Sequence, residues 1–240
     1  MPALKSATVS IIIPTLNEAG QVSATLQALQ PVRAAGHEVI VVDGGSRDDT
    51  LVLARPLADM LLPSPLGRSR QMNAGAAQAR GDILLFLHAD TIRPEGALPA
   101  MLDGLSRSGR AWGRFDVRLS GRQTMLRVIE RMMNWRSRLT GIATGDQAMF
   151  VRREVFQAAG NFPDMALMED IALSRTLKRT GGAPLCLATP VVTSSRRWEE
   201  HGTVRTMLLM WQLRLAYFLG ASPARLARRY TRREVDHERA

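Results

Sequence analysis

The chain alternates short aliphatic runs with stretches in which apolar residues return every three or four positions. Residues 8–13 (TVSIII) form a β-branched run cut off by Pro14, and residues 37–42 (HEVIVV) form a second that stops at Asp43-Gly44-Gly45. A weaker run covers residues 59–62, and residues 82–87 (DILLFL) form another strong one. Runs of this length bounded by turn residues predict strands buried on both faces. Between them, Val22, Leu26 and Leu29 predict a helix over residues 18–29. Ser46 followed by Asp48 and Asp49 predicts a helix start, with acids in the first turn against the dipole. A third helix is expected over residues 67–79. Strand and helix in strict alternation mean a parallel sheet with crossover helices, so the first 100 residues read as a Rossmann-like half.

The pattern then changes. A helix is expected from just after Pro94 to about residue 105, and a strand over residues 112–120. Residues 122–138 place Met125, Ile129, Met132 and Met133 at helical spacing with arginines on the other side. A strand over 147–151, a helix over 169–179 and a strand over 185–188 complete the expected core. Helices over 203–219 and from 223 to about 233 follow it. No internal repeat or low-complexity linker interrupts the chain. The expectation is one α/β domain: a mostly parallel, Rossmann-like sheet flanked by helices over residues 1–202, with 203–240 as a basic helical extension of it.

Composition narrows the class. Hydrophobic residues at 45% and charged residues at 22% are those of a soluble globular protein. The longest apolar stretch, 207–220, is 14 residues and contains Gln212 and Arg214, too short to cross a bilayer though able to lie on one. Cys186 is the only cysteine, which excludes an intrachain disulfide and a cysteine metal cluster. With no signal pattern in residues 1–8, a cytoplasmic location is expected. The net charge of +10 is concentrated in two blocks: nine arginines lie within 105–138 against Asp116 and Glu130, and eight within 205–240 against three acids. Clustered arginine suits a diphosphate, nucleic acid or lipid, or else a solvated face. With six Phe, two Tyr and no recognition motif, nucleic-acid binding is not expected. No GxGxxG or Walker loop follows any strand, which argues against a dinucleotide cofactor and a P-loop NTPase.

In open parallel sheets, ligands bind beyond the carboxyl ends of the strands. Polar groups gather at those ends here: Thr15, Asn17 and Glu18, then Asp43, then His88 and Asp90. Arg68, Arg70 and Asn73 open the helix expected at 67–79. A cation opposes the dipole there, and a bound anion would relieve the conflict. Glu169 and Asp170 open a helix anchored by Ile171, Leu173 and Leu177.

Three segments, IIIPTLNE (11–18), VVDGGSRDDT (41–50) and FLHADT (86–91), resemble the opening motifs of family-2 glycosyltransferases. GDQAMFVRREVF (145–156), FPDMALMEDIALSRTLKRTG (162–181) and RRW (196–198) are similar to the acceptor-side motifs, in the same order. The likeness is to small bacterial single-domain members with HAD in place of DxD. It implies a GT-A fold, a nucleotide-diphosphate sugar donor, a hexosyltransferase reaction with inversion, and a divalent metal, Mg²⁺ or Mn²⁺. By this resemblance Pro14, Thr15, Asn17, Glu18 and Ala89 line the nucleotide pocket, and Asp43 accepts a hydrogen bond from the base. Arg68, Arg70 and Asn73 contact nucleotide or diphosphate. Asp90 binds the metal, with His88 or His201 as a further ligand. Asp170 is the general base with Glu169 in support, Asp146 and Gln147 contact sugar or acceptor, and Arg197 and Trp198 hold diphosphate and form a platform. Ser194 stands where processive synthases have Gln, and no membrane-spanning helix is expected, both against polymer synthesis. A sugar nucleotidyltransferase is the alternative enzyme, but IPTLNEAG lacks its basic loop; a noncatalytic nucleotide-binding module is the other reading. Val204, Leu208, Trp211, Leu215 and Phe218 make one apolar stripe with Arg205 and Arg214 at its flanks. That predicts contact with a lipid-linked acceptor or the inner membrane face, or else packing on the core or in a homodimer.

Overall fold

The computed structural model describes residues 7–200 and 202–238, with side chains for all but Arg197 and 231–238. The four aliphatic runs form parallel strands β1 (Val9–Thr15), β2 (Glu38–Asp43), β3 (Met60–Pro63) and β4 (Ile83–Phe86). β1, β2 and β4 are buried on both faces, which is why they are continuously apolar. Pro14 does not end β1 but pairs opposite Val42. The Ile12 carbonyl accepts from Leu87 N on the β4 side. The two-residue period turns Pro14's missing N–H the same way, past the last β1–β4 rung at Ile12–Phe86, so no ladder bond is lost.

The helix expected over 18–29 is two short ones, α1 (Val22–Gln27) and α2 (Gln30–Ala34), the second with Pro31 in its first turn where no N–H is needed. α3 (Thr50–Ala54) begins later than Ser46 suggested, because Asp48 accepts from Thr50 N and Oγ1 and from Ala19 N, tying loops together instead. α4 (Arg68–Gln78) lies close on the sheet. A Cβ at Gly75 would fall 2.6 Å from Ile12 Cγ2, so glycine sets that approach.

The second half contains β5 (Thr91–Ile92), α5 (Ala97–Ser108), β6 (Trp112–Leu119), α6 (Thr124–Thr140), β7 (Phe150–Arg152), α7 (Arg153–Ala158), α8 (Glu169–Thr180), β8 (Leu185–Thr193), α9 (Arg196–Glu200), α10 (Thr203–Phe218) and α11 (Pro223–Glu238). β5, α7 and α9 were not expected. The strand expected from residue 147 starts at Phe150, because Gly145–Gln147 forms a 3-10 turn closed by a Thr144–Gln147 capping box. β8 continues past residue 188 through Pro190, where its register against β6 shifts between Phe115 and Asp116. The sheet order is β3-β2-β1-β4-β7-β6-β8-β5. β7 runs antiparallel to both β4 and β6, so β6 and β8 point the same way as β1, β2 and β4. The carboxyl ends of those strands and the start of β7 therefore share one edge.

Each face of the sheet carries a core. Ile11, Leu26, Met101, Phe115 and Phe150 lie in one, and Ile12, Leu84, Trp112 and Leu173 in the other with the ring cluster Phe86–Phe156–Phe162. α10 and α11 pack through Leu213 and Leu226 on Ile142, Met168 and Ile171. The stripe Val204, Leu208, Trp211, Leu215 and Phe218, expected either to meet lipid or to pack, is exposed and does not pack on the core. On α6 the inward face is Leu126, Ile129, Glu130, Met133 and Ser137, whereas Met125 and Met132 face out. Most of the arginine block is a solvated face, with Arg107, Arg118, Arg122, Arg131 and Arg138 exposed, but Arg114 is not. Arg114 is fully buried against Asp116, Ser137 Oγ at 3.0 Å and the Asn134 carbonyl at 3.1 Å. Cys186 is half-buried in β8. Among the described residues no helix is long and apolar enough to cross a membrane.

Candidate active site

The first-strand loop is fastened before it meets any ligand. Asn17 adopts a left-handed backbone (φ 53°), its N–H donates to Ser46 Oγ at 2.9 Å, and its Oδ1 accepts from Arg47 N at 2.9 Å. Asp43 is buried, and its carboxylate accepts from Gly45 N and Ser46 N at 2.8 Å each, and from the Ser46 and Thr15 hydroxyls. With four donors from its own surroundings, Asp43 is committed to shaping this turn. Gln71, which the sequence reading missed, lies beneath it and donates to the carbonyls of Thr15 and Val42 at 2.8 and 2.9 Å. It shares a helix face with Arg68 at i, i+3, the one signal that could have pointed to it.

Around that loop a cavity of about 300 Å³ is lined by Pro14, Thr15, Glu18, Arg68, Gln71, His88, Ala89 and Asp90, with Leu16, Leu66 and Gly67. Arg68 is the first residue of α4, so its guanidinium and the positive helix end face the same space. Glu18 is pushed above the usual carboxylate range by burial, then by the negative charge of Asp90. Asp90 is reached by the Thr91 and Thr193 hydroxyls at 3.3 and 3.4 Å. A cation beside Glu18 and Asp90 would relieve this repulsion, so this hard oxygen pair suits a divalent ion. Among the described residues no group of three or more His, Cys, Asp or Glu could hold a metal by itself. A phosphate ligand would have to supply the remaining oxygens. His201 lies outside the described residues.

Arg68 and His88 also line a second cavity of about 100 Å³ with Gly145, Asp146, Glu169, Asp170, Met210 and Arg214. Antiparallel β7 brings this about, since its leading turn starts where β4 ends. His88 Nδ1 lies 3.7 Å from Asp146 Oδ1. The imidazole is held below its ordinary pKa by burial and by the Arg68 cation, against the pull of Asp146, Asp90 and Asp170. Gly145 packs on its ring, and a Cβ there would sit 2.5 Å from Nε2. Gly145 N donates to Asp170 Oδ2 at 2.9 Å, and Asp170 Oδ1 accepts from Ile171 N at 2.7 Å. Glu169, only 7% exposed, is pushed up to about 7 by burial and by Asp170 beside it. The backbone before the pair is strained, with Met168 at φ 70°, and Ala148 after the Gly145–Gln147 turn sits at φ 45°.

Other expected site residues lie elsewhere. Arg70 is paired with Asp164 through Nε and Nη2 at 2.9 and 3.0 Å, and Asn73 bonds the main chain of Phe162 in both directions. Both therefore anchor the 162–165 loop, and neither lines these cavities. Gln147 is fully buried, its side chain capping Thr144 and reaching Asn134. Trp198 lines a third cavity, described below, and the side chain of Arg197 lies outside the described residues. Arg136 and Arg214 were not read as site residues. Both guanidiniums, from α6 and α10, feel the charges of Asp170 and Asp146, a meeting that no local motif encodes.

A sequence profile described as Glycosyl transferase family 2 matches residues 10–160. A PGL/p-HBAD biosynthesis glycosyltransferase of Mycobacterium bovis is 40% identical over 88 residues, 34% of this chain and 34% of that one. A glucosyl-3-phosphoglycerate synthase of Mycobacterium tuberculosis is 31% identical over 97 residues, 36% and 30% of the two chains. These matches thus span about a third of the relatives' length. In structure, S. aureus TarS 1–349 superposes with a TM-score of 0.62 at 20% identity over 78% of this chain and 60% of that one. The M. tuberculosis synthase in complex with Mn²⁺, UDP and glucosyl-3-phosphoglycerate gives 0.60 at 21%, over 78% and 72%. Both share the α/β fold that carries the cavities, and the profile spans the strand-end loops and the Gly145–Gln147 turn. The chain belongs to glycosyl transferase family 2 and has the GT-A fold.

Proposed function

We propose that this protein transfers a hexosyl group from a nucleoside-diphosphate sugar to an acceptor hydroxyl, with inversion at the anomeric carbon. The observation that carries this reading is the arrangement in which Arg68 and His88 stand between a phosphate-suited cavity and a carboxylate pair. The nucleoside lies against Pro14, Thr15 and the loop that Asn17 and Asp43 hold in shape. Arg68 and the α4 N-terminus take the diphosphate, with Arg197 and Trp198 at its far side. Asp90 and Glu18 would hold Mg²⁺ or Mn²⁺, with His88 or His201 as a nitrogen ligand. Such an ion neutralises charge on the departing diphosphate. The acceptor oxygen bonds to the anomeric carbon, the bond from that carbon to the diphosphate breaks, and the hydroxyl proton passes to a carboxylate.

Asp170, oriented by Gly145 N, is the base in this reading, with Glu169 in support and Asp146 on sugar or acceptor. One observation favours the reverse: Glu169, at about 7, sits closer to a neutral operating pH than an ordinary carboxylate. Residues 203–240 belong to the same domain as 1–202 in this reading, and the protein works in the cytoplasm, at the inner face of the membrane. The presence of Mn²⁺ and UDP in the synthase complex supports the donor and metal. Thermal melting with UDP, GDP and their sugars, each with Mn²⁺, Mg²⁺ or chelator, tests this. One nucleotide at a hundredfold over its Kd adds about 2.7 kcal/mol with metal, and Asp90→Asn removes the metal-dependent part. No stabilisation by any of them overturns the reading.

A further inference from the structure

A third cavity, of about 280 Å³, has an apolar wall of Met132, Met133 and Trp135 from α6, Trp198 from α9, and Met207 and Trp211 from α10. Its inner end is formed by Arg136, Asp146 and Arg214, and the last two also line the cavity of the carboxylate pair. The groove therefore runs from the reacting centre outwards between two helices. At its mouth both helices carry exposed apolar rows. On α6 the row is Met125, Val128, Met132, Trp135 and Leu139; on α10 it is Val204, Leu208, Trp211, Leu215 and Phe218. Each row keeps a three- and four-residue spacing, so each is one continuous stripe rather than scattered surface residues. Met132, Trp135 and Trp211 belong both to the rows and to the groove wall.

The inner end has the opposite character. Among the described residues, Arg136 Nε and Nη2 are buried without a hydrogen-bond partner. Burial, and then the charge of Arg214, push the Arg136 guanidinium down to about 10. Arg214 is pushed down by burial as well. Two cations in poor contact with water, one with unmatched N–H groups, are costly alone and are satisfied by an anion. A purely apolar ligand would leave that cost in place, and a purely polar one would leave the groove wall and its mouth uncovered.

We propose that the acceptor is a lipid bearing a phosphate head group with a free hydroxyl, taken from a bilayer on which the two apolar rows rest. Its tail lies along the groove, its phosphate meets Arg136 and Arg214, and its hydroxyl reaches the carboxylate pair. This rests on the transfer reaction proposed above. The lipid oxygen gains the bond to the anomeric carbon, its proton goes to the carboxylate, and the nucleoside diphosphate leaves.

Three of the four tryptophans, Trp135, Trp198 and Trp211, line the groove, and Trp112 is buried in the core, so intrinsic emission reports on occupancy. Titration with dodecyl phosphate below its micelle concentration is compared with dodecyl maltoside. Dodecyl phosphate is expected to bind about tenfold tighter, the least that one charge-assisted contact contributes. Arg136→Met and Arg214→Met should bring it to the level of the maltoside. Flotation should recover the protein with phosphatidylglycerol vesicles, and Trp135→Ser with Trp211→Ser should abolish this. Equal binding of the two amphiphiles, or a dimer in solution that shields the rows from vesicles, overturns the proposal. Binding of UDP and GDP with Mn²⁺, measured on the same samples, separates the failures. Protein that binds either nucleotide but ignores dodecyl phosphate overturns the lipid site alone, whereas protein that binds dodecyl phosphate but neither nucleotide overturns the donor reading.

Discussion

Glu169 and Asp170 are neighbours with unlike surroundings. Asp170 is tied by Gly145 N and Ile171 N, whereas Glu169 is buried and raised to about 7. Asp170→Asn is expected to lower transfer by roughly 10²–10⁴ while changing nucleotide affinity little. If Glu169→Gln is the crippling change and moves the acidic limb of the rate profile from near 7, the two roles are exchanged. Equal tolerance of both removes the pair from the mechanism. Glu169 also predicts a stability trend. Its folded pKa lies above the unfolded one, so the folded chain binds the extra proton between pH 4.5 and about 7. Its contribution is therefore full below pH 4.5 and is lost as pH rises through 7, by roughly 3 kcal/mol. Glu169→Gln should flatten that part of the curve, measured by urea unfolding at a series of pH values. The residue scale is also where sequence reading stopped. Asp43 stands in the motif expected to read a base, yet its hydrogen bonds go to its own turn, because the loop geometry that consumes a carboxylate is not visible in its neighbours' identities. Arg136 was placed only on the face opposite the methionines, because helical spacing fixes a face but not what covers it.

At the scale of elements, the strands were legible because a doubly buried parallel strand must be apolar throughout. The 3-10 turn at Gly145–Gln147, the short α7 and α9 and the two-residue β5 carry no such constraint, and none was foreseen. That turn is nevertheless what places Asp146 against His88 and orients Asp170. Gly145→Ala tests its closeness: the added Cβ meets the His88 ring at 2.5 Å. The expected cost is about 1–3 kcal/mol of stability, with a loss of transfer larger than that of UDP affinity. Transfer at the wild-type level would mean that the turn and ring have no required contact. α10 shows the opposite limit. Its apolar stripe was read correctly as a stripe, but the helix packs through Leu213 on the far side, because α10 is apolar around much of its circumference and periodicity cannot rank its faces.

At the scale of the whole molecule, the sheet joins two kinds of strand at a narrow place. The parallel set β3-β2-β1-β4 meets the mixed set through β4 and β7 alone, with three rungs, Ile83–Arg152, Leu84–Val151 and Leu85–Phe150. The nucleotide-side loops belong to the first set, while the groove and the carboxylate pair belong to elements after it. Each side can therefore change with little consequence for the other, provided the rungs, the Phe86–Phe156–Phe162 rings and the contacts of His88 with Gly145 and Asp146, Arg70 with Asp164, Asn73 with Phe162 and Asp90 with Thr193 are kept. The two sets are in this sense separately heritable. A chimera joining residues 1–110 of this chain to the later half of another family member should keep this chain's choice of nucleotide and adopt its new half's choice of acceptor.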